Sequence, residues 1–582
     1  MGYLPELRSL LSISLPVTFN MLFYRLPWLT SLFFVGRISP EALASAGLAS
    51  TICNVSGLSL VIGLSGALTT LASQAKGNLS SSSPSSPNAT SPVTYLHRAL
   101  LIHLLFTLPV GIFWQSRSLP LLLTSLGQSP PLAASASAYL ALLAPGLWGH
   151  TAMFTLTPFC QSLSLPHLPA YSAMAAAALH PLWNHLLITT LGLGYLGAAA
   201  ATSLTQCLGP LLLFCYLERT RAGRETLAAA LHLPPDAAPD LSLTRGFLAS
   251  VSSCAGLAQY LRLGLPGLVS ISEWWASEVA IFWAGSPSLP SGDPPAVSLS
   301  AMSLYQSVNS SCFMFAVGVA VAGATRVGNH LGAGDAAAAR FSGKAAVLLS
   351  ALVSSSIGAL LFLSPHSLLP SLLASSAAVV DLTASTIPLL AVYVLADGVQ
   401  VCLSGLTKGL GLQWMGAPVV VVAYWLVGVP VARYLAFERG MGVLGLVGGM
   451  TAGTWVHFVM MGAVVACCVD WEREAGKAKA RVGGGGGGEE EVSFVRVAGE
   501  EEEGLEMGDV GGGAEEPEDD FFSGMQMRMK ETLTPKKGGG YVKVGGGGDL
   551  GSGGGEEEED MDMEALEAMG AVDDDKRDRL GS

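Results

Sequence analysis

The chain has 582 residues, of which half are apolar and 13% are charged, and its formal net charge is -14. Residues 1–470 carry 17 Lys and Arg against 14 Asp and Glu, whereas residues 471–582 carry 13 against 30. Because a soluble domain is about a quarter charged, residues 1–470 are predicted to form a membrane protein and residues 471–582 a disordered Gly- and Glu-rich tail. The sequence has no GxxxxGK[ST] phosphate-binding loop, no basic nucleic-acid surface and no metal-ligand spacing, which argues against an ATPase, a nucleic-acid-binding protein and a metalloenzyme.

Twelve apolar stretches follow one another in the first 470 residues, each long enough to cross a bilayer core of about 30 Å. The predicted spans are residues 11–35, 43–73, 96–114, 138–159, 168–190, 195–217, 248–284, 296–323, 342–364, 383–406, 416–436 and 443–469. A longer polar stretch, residues 218–247, lies between the sixth and seventh spans. We therefore predict an all-α membrane protein with an N-lobe (1–217), a cytosolic linker (218–247) and a C-lobe (248–470), each lobe having six helices.

Lys and Arg are distributed unevenly between the two sides of these helices. If the N-terminus is cytosolic, 12 of them fall on the cytosolic side and 4 on the other. Cytosolic loops carry the excess of basic residues in membrane proteins. Both termini are therefore predicted to be cytosolic, in either a plasma or a vacuolar membrane.

An internal repeat supports the division into two lobes. A shift of 255 residues places Gly63, Gln74 and Gly77 on Gly318, Asn329 and Gly332. A shift of 248 places Gly197 on Gly445. Because each half contains an even number of helices, both halves enter the membrane in the same direction. The lobes are thus predicted to be related by a pseudo-two-fold axis along the membrane normal, around a central cavity.

Four residues are clear cases of a charge embedded in the membrane: Arg25, Glu273, Glu278 and Asp397. A charge at mid-bilayer costs at least about 2.5–3.5 kcal/mol, so these residues indicate a functional site. Carboxyl groups in an apolar cavity can bind either a proton or a cation, which predicts a proton-coupled substrate site. Glu273 and Glu278 are about 140° apart on an ideal helix, and residues 266–267, a Pro-Gly pair, are predicted to distort that helix.

Five stretches within the spans stand out as motifs. They are Val35-Gly36-Arg37 with Thr70-Leu71-Ala72-Ser73-Gln74, Pro181-Leu182-Trp183-Asn184, Ser272-Glu273-Trp274-Trp275-Ala276-Ser277-Glu278, Arg326-Val327-Gly328-Asn329-His330-Leu331-Gly332-Ala333-Gly334-Asp335, and Asp397 with Lys408-Gly409-Leu410-Gly411. Together they resemble the multidrug and toxic compound extrusion (MATE) transporters, in their eukaryotic form, over the twelve predicted helices.

The resemblance implies a secondary active transporter, not an enzyme, that exports small organic cations and other xenobiotics by alternating access. It implies coupling to protons or to sodium, of which the buried acids favour protons, with no bound cofactor and no metal. Glu273, Glu278 and Asp397 match the acids that bind protons and substrate in the C-lobe. Ser31 stands where bacterial members have an acid, which favours coupling through the C-lobe. The candidates that line the cavity are Gln74, Asn184, Trp274, Trp275, Tyr305, His180 and Arg25.

Two alternatives remain open at this point. The first is an exporter of organic anions or secondary metabolites with the same fold, which Arg25 would favour. The second is a membrane receptor or enzyme, although an enzyme should show clustered metal ligands or a nucleophile with a base. The expected partners are small molecules and membrane lipid, with no nucleic acid, and a monomer is expected. The basic residues Lys477, Lys479 and Arg481 are expected to lie against anionic lipid headgroups.

Overall fold

The computed structural model describes residues 2–81, 90–125, 128–233, 241–290, 292–374 and 376–483, and within these ranges the regular structure is entirely helical. Twelve long helical segments follow one another. They are α1 (Tyr3–Gly36), α2 (Glu41–Ser81), α3 (Pro92–Trp114), α4 (Pro130–Ser162), α5 (His167–Asn184), α6 (Tyr195–Arg219), α7 (254–284), α8 (Pro295–Gly332), α9 (Ala336–Leu363), α10 (Ala377–Leu410), α11 (Gln413–Glu438) and α12 (Gly442–Cys468). A thirteenth helix, α13, covers Trp471–Val482.

Among the described residues, nine of these helices are long and apolar enough to cross a membrane. They are α2, α3, α4, α6, α8, α9, α10, α11 and α12, and they coincide with nine of the twelve predicted spans. The other three predicted spans are also helical. Of these, α1 is a continuous helix with two internal prolines, and α7 is divided into two helices.

The internal repeat appears in the structure as a symmetric contact between the lobes. Gly77 at the end of α2 packs against the backbone of Asn329, and Gly332 at the end of α8 packs against the backbone of Gln74. Gly77 and Gly332 are equivalent in the repeat, as are Gln74 and Asn329. A contact that exchanges equivalent residues in this way lies on a two-fold axis, so α2 and α8 cross on the pseudo-two-fold axis. A Cβ atom at either glycine would overlap the opposing backbone.

The second repeated glycine pair explains the packing inside each lobe. A Cβ atom on Gly197 of α6 would lie 2.8 Å from the carbonyl carbon of Leu187. A Cβ atom on Gly445 of α12 would lie 2.6 Å from the carbonyl carbon of Leu435. In both lobes the contacted segment is a π-helical turn at the end of the preceding helix, a widened turn that often marks functional regions. Glycine is therefore required at the same place in both repeats.

The lobes are held together at one side of the membrane, the side on which α1 begins and α13 lies. We call this side the terminal face. The hydroxyl of Thr70 on α2 donates a hydrogen bond to the carbonyl of Lys408 on α10. Gln74 Nε2 donates to the Gly409 carbonyl at 3.0 Å, and Gln413 Nε2 donates to Thr70 Oγ1 at 2.7 Å. These bonds close the junction between the lobes at the terminal face.

The predicted disordered tail was placed too early in the chain. It was expected to begin at residue 471, but Trp471–Val482 forms α13, in which Ala475, Ala478 and Val482 are buried against the transmembrane helices. The Asp470 carboxylate accepts the Arg473 N–H at 3.1 Å and caps the helix. Residues 484–582 of the predicted tail lie outside the described residues.

The expected contact between the basic residues of α13 and lipid headgroups is wrong for Arg481, whose side chain is 18% exposed. For Lys477, which is 45% exposed, it stays a prediction. Lys477 Nζ lies 2.7 Å from Glu474 Oε1, and Arg481 Nη2 lies 3.5 Å from Glu474 Oε2. Glu474 is 5% exposed. The buried carboxylate draws the Arg481 guanidinium toward the protein and away from the membrane surface.

The predicted linker between the lobes contains one short helix, Arg221–Ala230, and a second, Phe247–Val251, begins at its last residue. The Glu218 carboxylate accepts the Leu243 N–H at 2.7 Å and the Ser242 hydroxyl at 2.6 Å, which fixes the end of the linker against α6. Residues 234–240 lie outside the described part of the chain.

Candidate functional site

Two of the three predicted acids lie together in the C-lobe. Glu273 is on α7 and Asp397 is on α10, and their carboxyl groups are close enough for their charges to interact. Asp397 is 4% exposed, and its Oδ1 accepts a hydrogen bond from Gln400 Nε2 at 3.1 Å. Glu278 has no charged neighbour of this kind within the described ranges. The structure therefore divides the predicted trio into one pair and one separate acid.

A break in α7 places Glu273 in the first turn of a new helix. The two parts of α7 are Cys254–Ser270 and Ser272–Ala284. Pro266 lacks the N–H of a normal helical residue, and the helix ends one turn beyond it. Ser272 Oγ then accepts a hydrogen bond from Trp425 Nε1 at 3.1 Å, which holds the second part against α11. A distortion of α7 is confirmed, but it follows Pro266, whereas a proline disturbs the turn before it, so the Pro-Gly pair does not explain the break.

Several buried polar atoms on α7 and α8 have no hydrogen-bond partner in the described part of the chain. They include the Tyr305 hydroxyl, the Trp275 indole N–H and the Asn309 amide oxygen. Tyr305 and Asn309 are one turn apart on α8, and Tyr305 lies within interaction distance of Asp397. Most buried polar groups in proteins have a partner. The Tyr305 hydroxyl is therefore a candidate hydrogen-bond donor to a substrate bound at Asp397, although similar unpartnered atoms, such as Asn20 Oδ1, occur elsewhere in the described chain.

His457 on α12 completes the surroundings of Glu273. Its Nδ1 lies 3.4 Å from Glu273 Oε2, and its imidazole is 1% exposed. The ring of Tyr424 packs edge-on against it, with 5.6 Å between ring centroids. The sequence analysis assigned no role to His457, because a single histidine shows no metal-ligand spacing. The available signal was its position inside a membrane helix, where titratable residues are rare and usually functional.

The predicted N-lobe candidates form a separate cluster whose polar groups bond to one another. His180 Nε2 is 2.9 Å from Ser31 Oγ, and His180 Nδ1 is 2.7 Å from Thr205 Oγ1. Asn184 Nδ2 donates to the His180 carbonyl at 3.1 Å. The Ser31 hydroxyl also lies 3.1 Å from Thr202 Oγ1. In contrast to the C-lobe site, this cluster satisfies both ring nitrogens of its histidine internally.

Of the three remaining candidates, Gln74 and Arg25 lie apart from both clusters, and Trp274 is next to Glu273 in the C-lobe site. Gln74 is fully buried between the lobes, where Nε2 bonds to the Gly409 carbonyl and Oε1 accepts from Arg481 at 3.3 Å. Arg25 on α1 is half-buried and makes no hydrogen bond or ion pair to another described residue. Trp274 is half-buried beside Glu273. In the described ranges no group of His, Cys, Asp and Glu side chains could hold a metal ion.

Both lobes match a known protein family. A family model described as MatE matches residues 16–186 and 267–433, which together make up more than half of the chain. The chain belongs to the MATE family. Two Arabidopsis thaliana relatives extend this match: Protein DETOXIFICATION 13 is 30% identical over 478 residues, and Protein DETOXIFICATION 4 is 31% identical over 479 residues. These alignments cover 82% of this MATE chain and 92% and 93% of the two relatives.

Solved MATE structures have the same fold. The crystal structure of the eukaryotic MATE transporter AtDTX14 superposes with a TM-score of 0.71 and 28% identity, covering 83% of this chain and 100% of that chain. A multidrug resistance MATE family transporter in an outward-facing conformation gives a TM-score of 0.62 at 17% identity, covering 82% and 97% of the two chains. The resemblance found in the sequence is confirmed. This MATE protein is an all-α membrane transporter of small molecules and not an enzyme.

Proposed function

We propose that this MATE protein exports organic cations in exchange for protons, and that Glu273 and Asp397 form the site for which the two compete. The observation that supports this most strongly is the pairing of these carboxyl groups beside the Tyr305 hydroxyl, which has no hydrogen-bond partner among the described residues. Two acids close together in a poorly hydrated space cannot both stay ionised without a compensating cation. Lys408 on α10 also lies within interaction range of Glu273 and can balance one of the two charges. A proton or an organic cation balances the other, and their mutual exclusion couples the two fluxes.

The proposed cycle alternates access between the two sides of the membrane. The bias of Lys and Arg favours a cytosolic terminal face, so this conformation is the one closed on the cytosolic side. Protonation of the pair from the outer or lumenal side releases the cation. Proton loss to the cytosol, after the lobes have rocked, restores the site. Both lobes belong to one chain, so a monomer suffices, in a plasma or a vacuolar membrane.

Aromatic side chains give the site its preference for large organic cations. Trp274 and Trp275 are adjacent to Glu273, and Tyr305 faces Asp397. A cation near the face of such a ring gains about 0.5–2 kcal/mol, without demanding one particular shape. The names of the two Arabidopsis relatives refer to detoxification. Xenobiotics of varied shape are therefore the proposed substrates.

The test is uptake of tetraethylammonium into proteoliposomes under an imposed pH gradient, with a sodium gradient as the comparison. We expect the pH gradient to drive uptake, and Glu273→Gln and Asp397→Asn to abolish it. Asp381→Asn is the matched control, because Asp381 is an exposed carboxylate in the first turns of the same helix, α10. Uptake driven by sodium alone, or unchanged pH-driven uptake in both site variants, would refute the proposal.

One observation favours a second candidate function, the export of organic anions. Arg25 on α1 is half-buried and has no partner among the described residues. A guanidinium in that setting attracts a carboxylate or a sulfonate. If anions are the substrates, a fluorescent organic sulfonate will be transported by the wild type and lost in Arg25→Gln, while tetraethylammonium will not be transported by either protein.

A further inference from the structure

We propose that α13 is a latch that holds the two lobes together at the terminal face and has to release before the transporter opens there. The proposal rests on the alternating access proposed above, but not on the identity of the substrate or the coupling ion. The latch lies outside the twelve transmembrane helices.

The helix α13 is stabilised by packing one of its faces against the transmembrane helices. Its buried face consists of Glu474, Ala475, Ala478 and Val482, whereas Arg473 points away from the protein and is exposed. Isolated helices as short as this one are marginal in water. The small alanine side chains let the helix approach the transmembrane bundle closely, and contacts with that bundle stabilise it.

A single residue of α13, Arg481, forms hydrogen bonds with both lobes. Its Nη1 donates to Gln74 Oε1 on α2 at 3.3 Å and to the Leu410 carbonyl on α10 at 3.1 Å. Its backbone carbonyl accepts from the Tyr95 hydroxyl on α3 at 3.2 Å and from Gln259 Nε2 on α7 at 3.3 Å. Both the guanidinium and the carbonyl therefore contact the N-lobe and the C-lobe at once.

A buried carboxylate fixes the position of Arg481. Glu474 lies two turns before Arg481 on the same face of α13. It is 5% exposed and lies within ion-pair distance of both Arg481 and Lys477. Removing one member of a buried pair leaves the other charge without compensation, which is strongly destabilising. At the end of the helix, the Val482 carbonyl accepts the Thr90 N–H at 3.0 Å, which adds a backbone bond to the N-lobe.

The geometry makes these contacts incompatible with opening at the terminal face. Gln74 on α2 bonds directly to the Gly409 carbonyl on α10. The terminal face can therefore open only if α2 moves away from α10 and this bond breaks. Arg481 bonds to the same glutamine and to the adjacent Leu410 carbonyl. A single guanidinium nitrogen cannot hold both partners once the helices separate. Docked α13 therefore binds the closed conformation alone, and interactions made in one state shift the population toward it.

Hydrogen–deuterium exchange on the full-length protein in detergent, without substrate, tests the latch. We expect Arg481→Ala to speed backbone exchange at least tenfold in α13 and also in the terminal-face ends of α2 and α10. The matched control is Arg473→Ala, which removes an arginine from the exposed side of the same helix and should leave exchange in α2 and α10 as in the wild type. Tyr95→Phe removes one hydroxyl donor to Arg481 and should produce a change in the same direction of about fivefold, since one hydrogen bond contributes about 1 kcal/mol.

Faster exchange confined to α13 would overturn the proposal, because it would show that α13 docks without holding the lobes. Equal exchange in Arg481→Ala and Arg473→Ala would overturn it as well. If Arg481→Ala fails to fold, Tyr95→Phe decides between the same two outcomes. The measurement involves no transported molecule, so a failed tetraethylammonium uptake assay with the wild type refutes the proposed function and leaves the exchange result interpretable.

Discussion

Replacing Glu6 with Gln is expected to weaken the junction between α1 and the C-lobe. Glu6 Oε2 lies 2.6 Å from Arg326 Nη2 on α8, and Oε1 lies 3.0 Å from Arg326 Nε. The hydroxyl of Ser342 on α9 donates to Glu6 Oε1 at 2.7 Å. Through these bonds, Glu6 joins the first helix of the N-lobe to two helices of the C-lobe at the terminal face.

The loss of stability in Glu6→Gln depends on which interactions of Glu6 a glutamine can still make. Its single carbonyl oxygen can replace one acceptor, while the charge and one bond to the guanidinium are lost. A hydrogen bond to a charged group contributes about 1.5–3 kcal/mol, and removing one partner of a buried pair costs about 3–5 kcal/mol. Arg326 remains 25% exposed, so water partly solvates its unpaired charge. We therefore expect Glu6→Gln to lower the free energy of unfolding by about 2 kcal/mol.

The same ion pair gives a pH dependence of defined sign. Burial alone raises the pKa of Glu6, but hydrogen bonds from Arg326 and Ser342 and the positive charge of Arg326 outweigh it, so its pKa lies below the usual 4.5. A carboxyl group with a lowered folded-state pKa contributes stability that is present above its unfolded pKa and lost as pH falls through the folded one. The wild type should therefore lose this contribution below about pH 4.5.

Thermal unfolding of the purified protein in detergent, at neutral and at acidic pH, measures both effects. Glu6→Gln should unfold at a lower temperature than the wild type at neutral pH, and the difference should shrink in acid. Glu41→Gln is the control, because Glu41 is an exposed glutamate in the first turn of its helix. Equal unfolding temperatures at neutral pH, or a difference that does not change with pH, would refute the reasoning.

Three further predictions concern packing and the acid pair. Gly197→Ala should destabilise the protein by about 1–3 kcal/mol in thermal unfolding, because overpacking forces backbone shifts, whereas Gly462→Ala, which meets no atom within 4 Å, should unfold like the wild type. His457→Phe removes the nitrogen that faces Glu273 and should shift the pH profile of tetraethylammonium uptake; an unchanged profile would contradict a contact between the two groups. Glu278→Gln should retain more uptake than Glu273→Gln, and equal loss in the two variants would show that Glu278 belongs to the same site.

Much of the membrane domain was predictable because its causes are local. Gly77 and Gly332 were recognised by their spacing, since a crossing on a symmetry axis needs the smallest residue at equivalent places. Glu273 and Asp397 were recognised because an acid inside an apolar stretch is costly and has to be explained. In both cases the sequence itself shows the physical constraint.

The misassigned features depend on partners far away in the sequence. The helix α13 has a high content of charged and small residues, and its order comes from surfaces on α2, α8 and α9. Arg481 looked like a residue for lipid headgroups, because the sequence does not reveal that Gln74 and Leu410 are its partners. Gln74 looked like a cavity residue for the same reason. The separation of Glu278 from the acid pair likewise depends on how α7 resumes after its break.

Proton release on substrate binding tests the central claim most directly. In a weakly buffered solution of the purified protein, tetraethylammonium should displace protons from the pair formed by Glu273 and Asp397, so the pH should fall in proportion to the substrate bound until binding saturates. Asp397→Asn should release no protons. Saturable binding of tetraethylammonium without a change in pH, or the same release from wild type and Asp397→Asn, would contradict the claim that protons and organic cations compete for this pair.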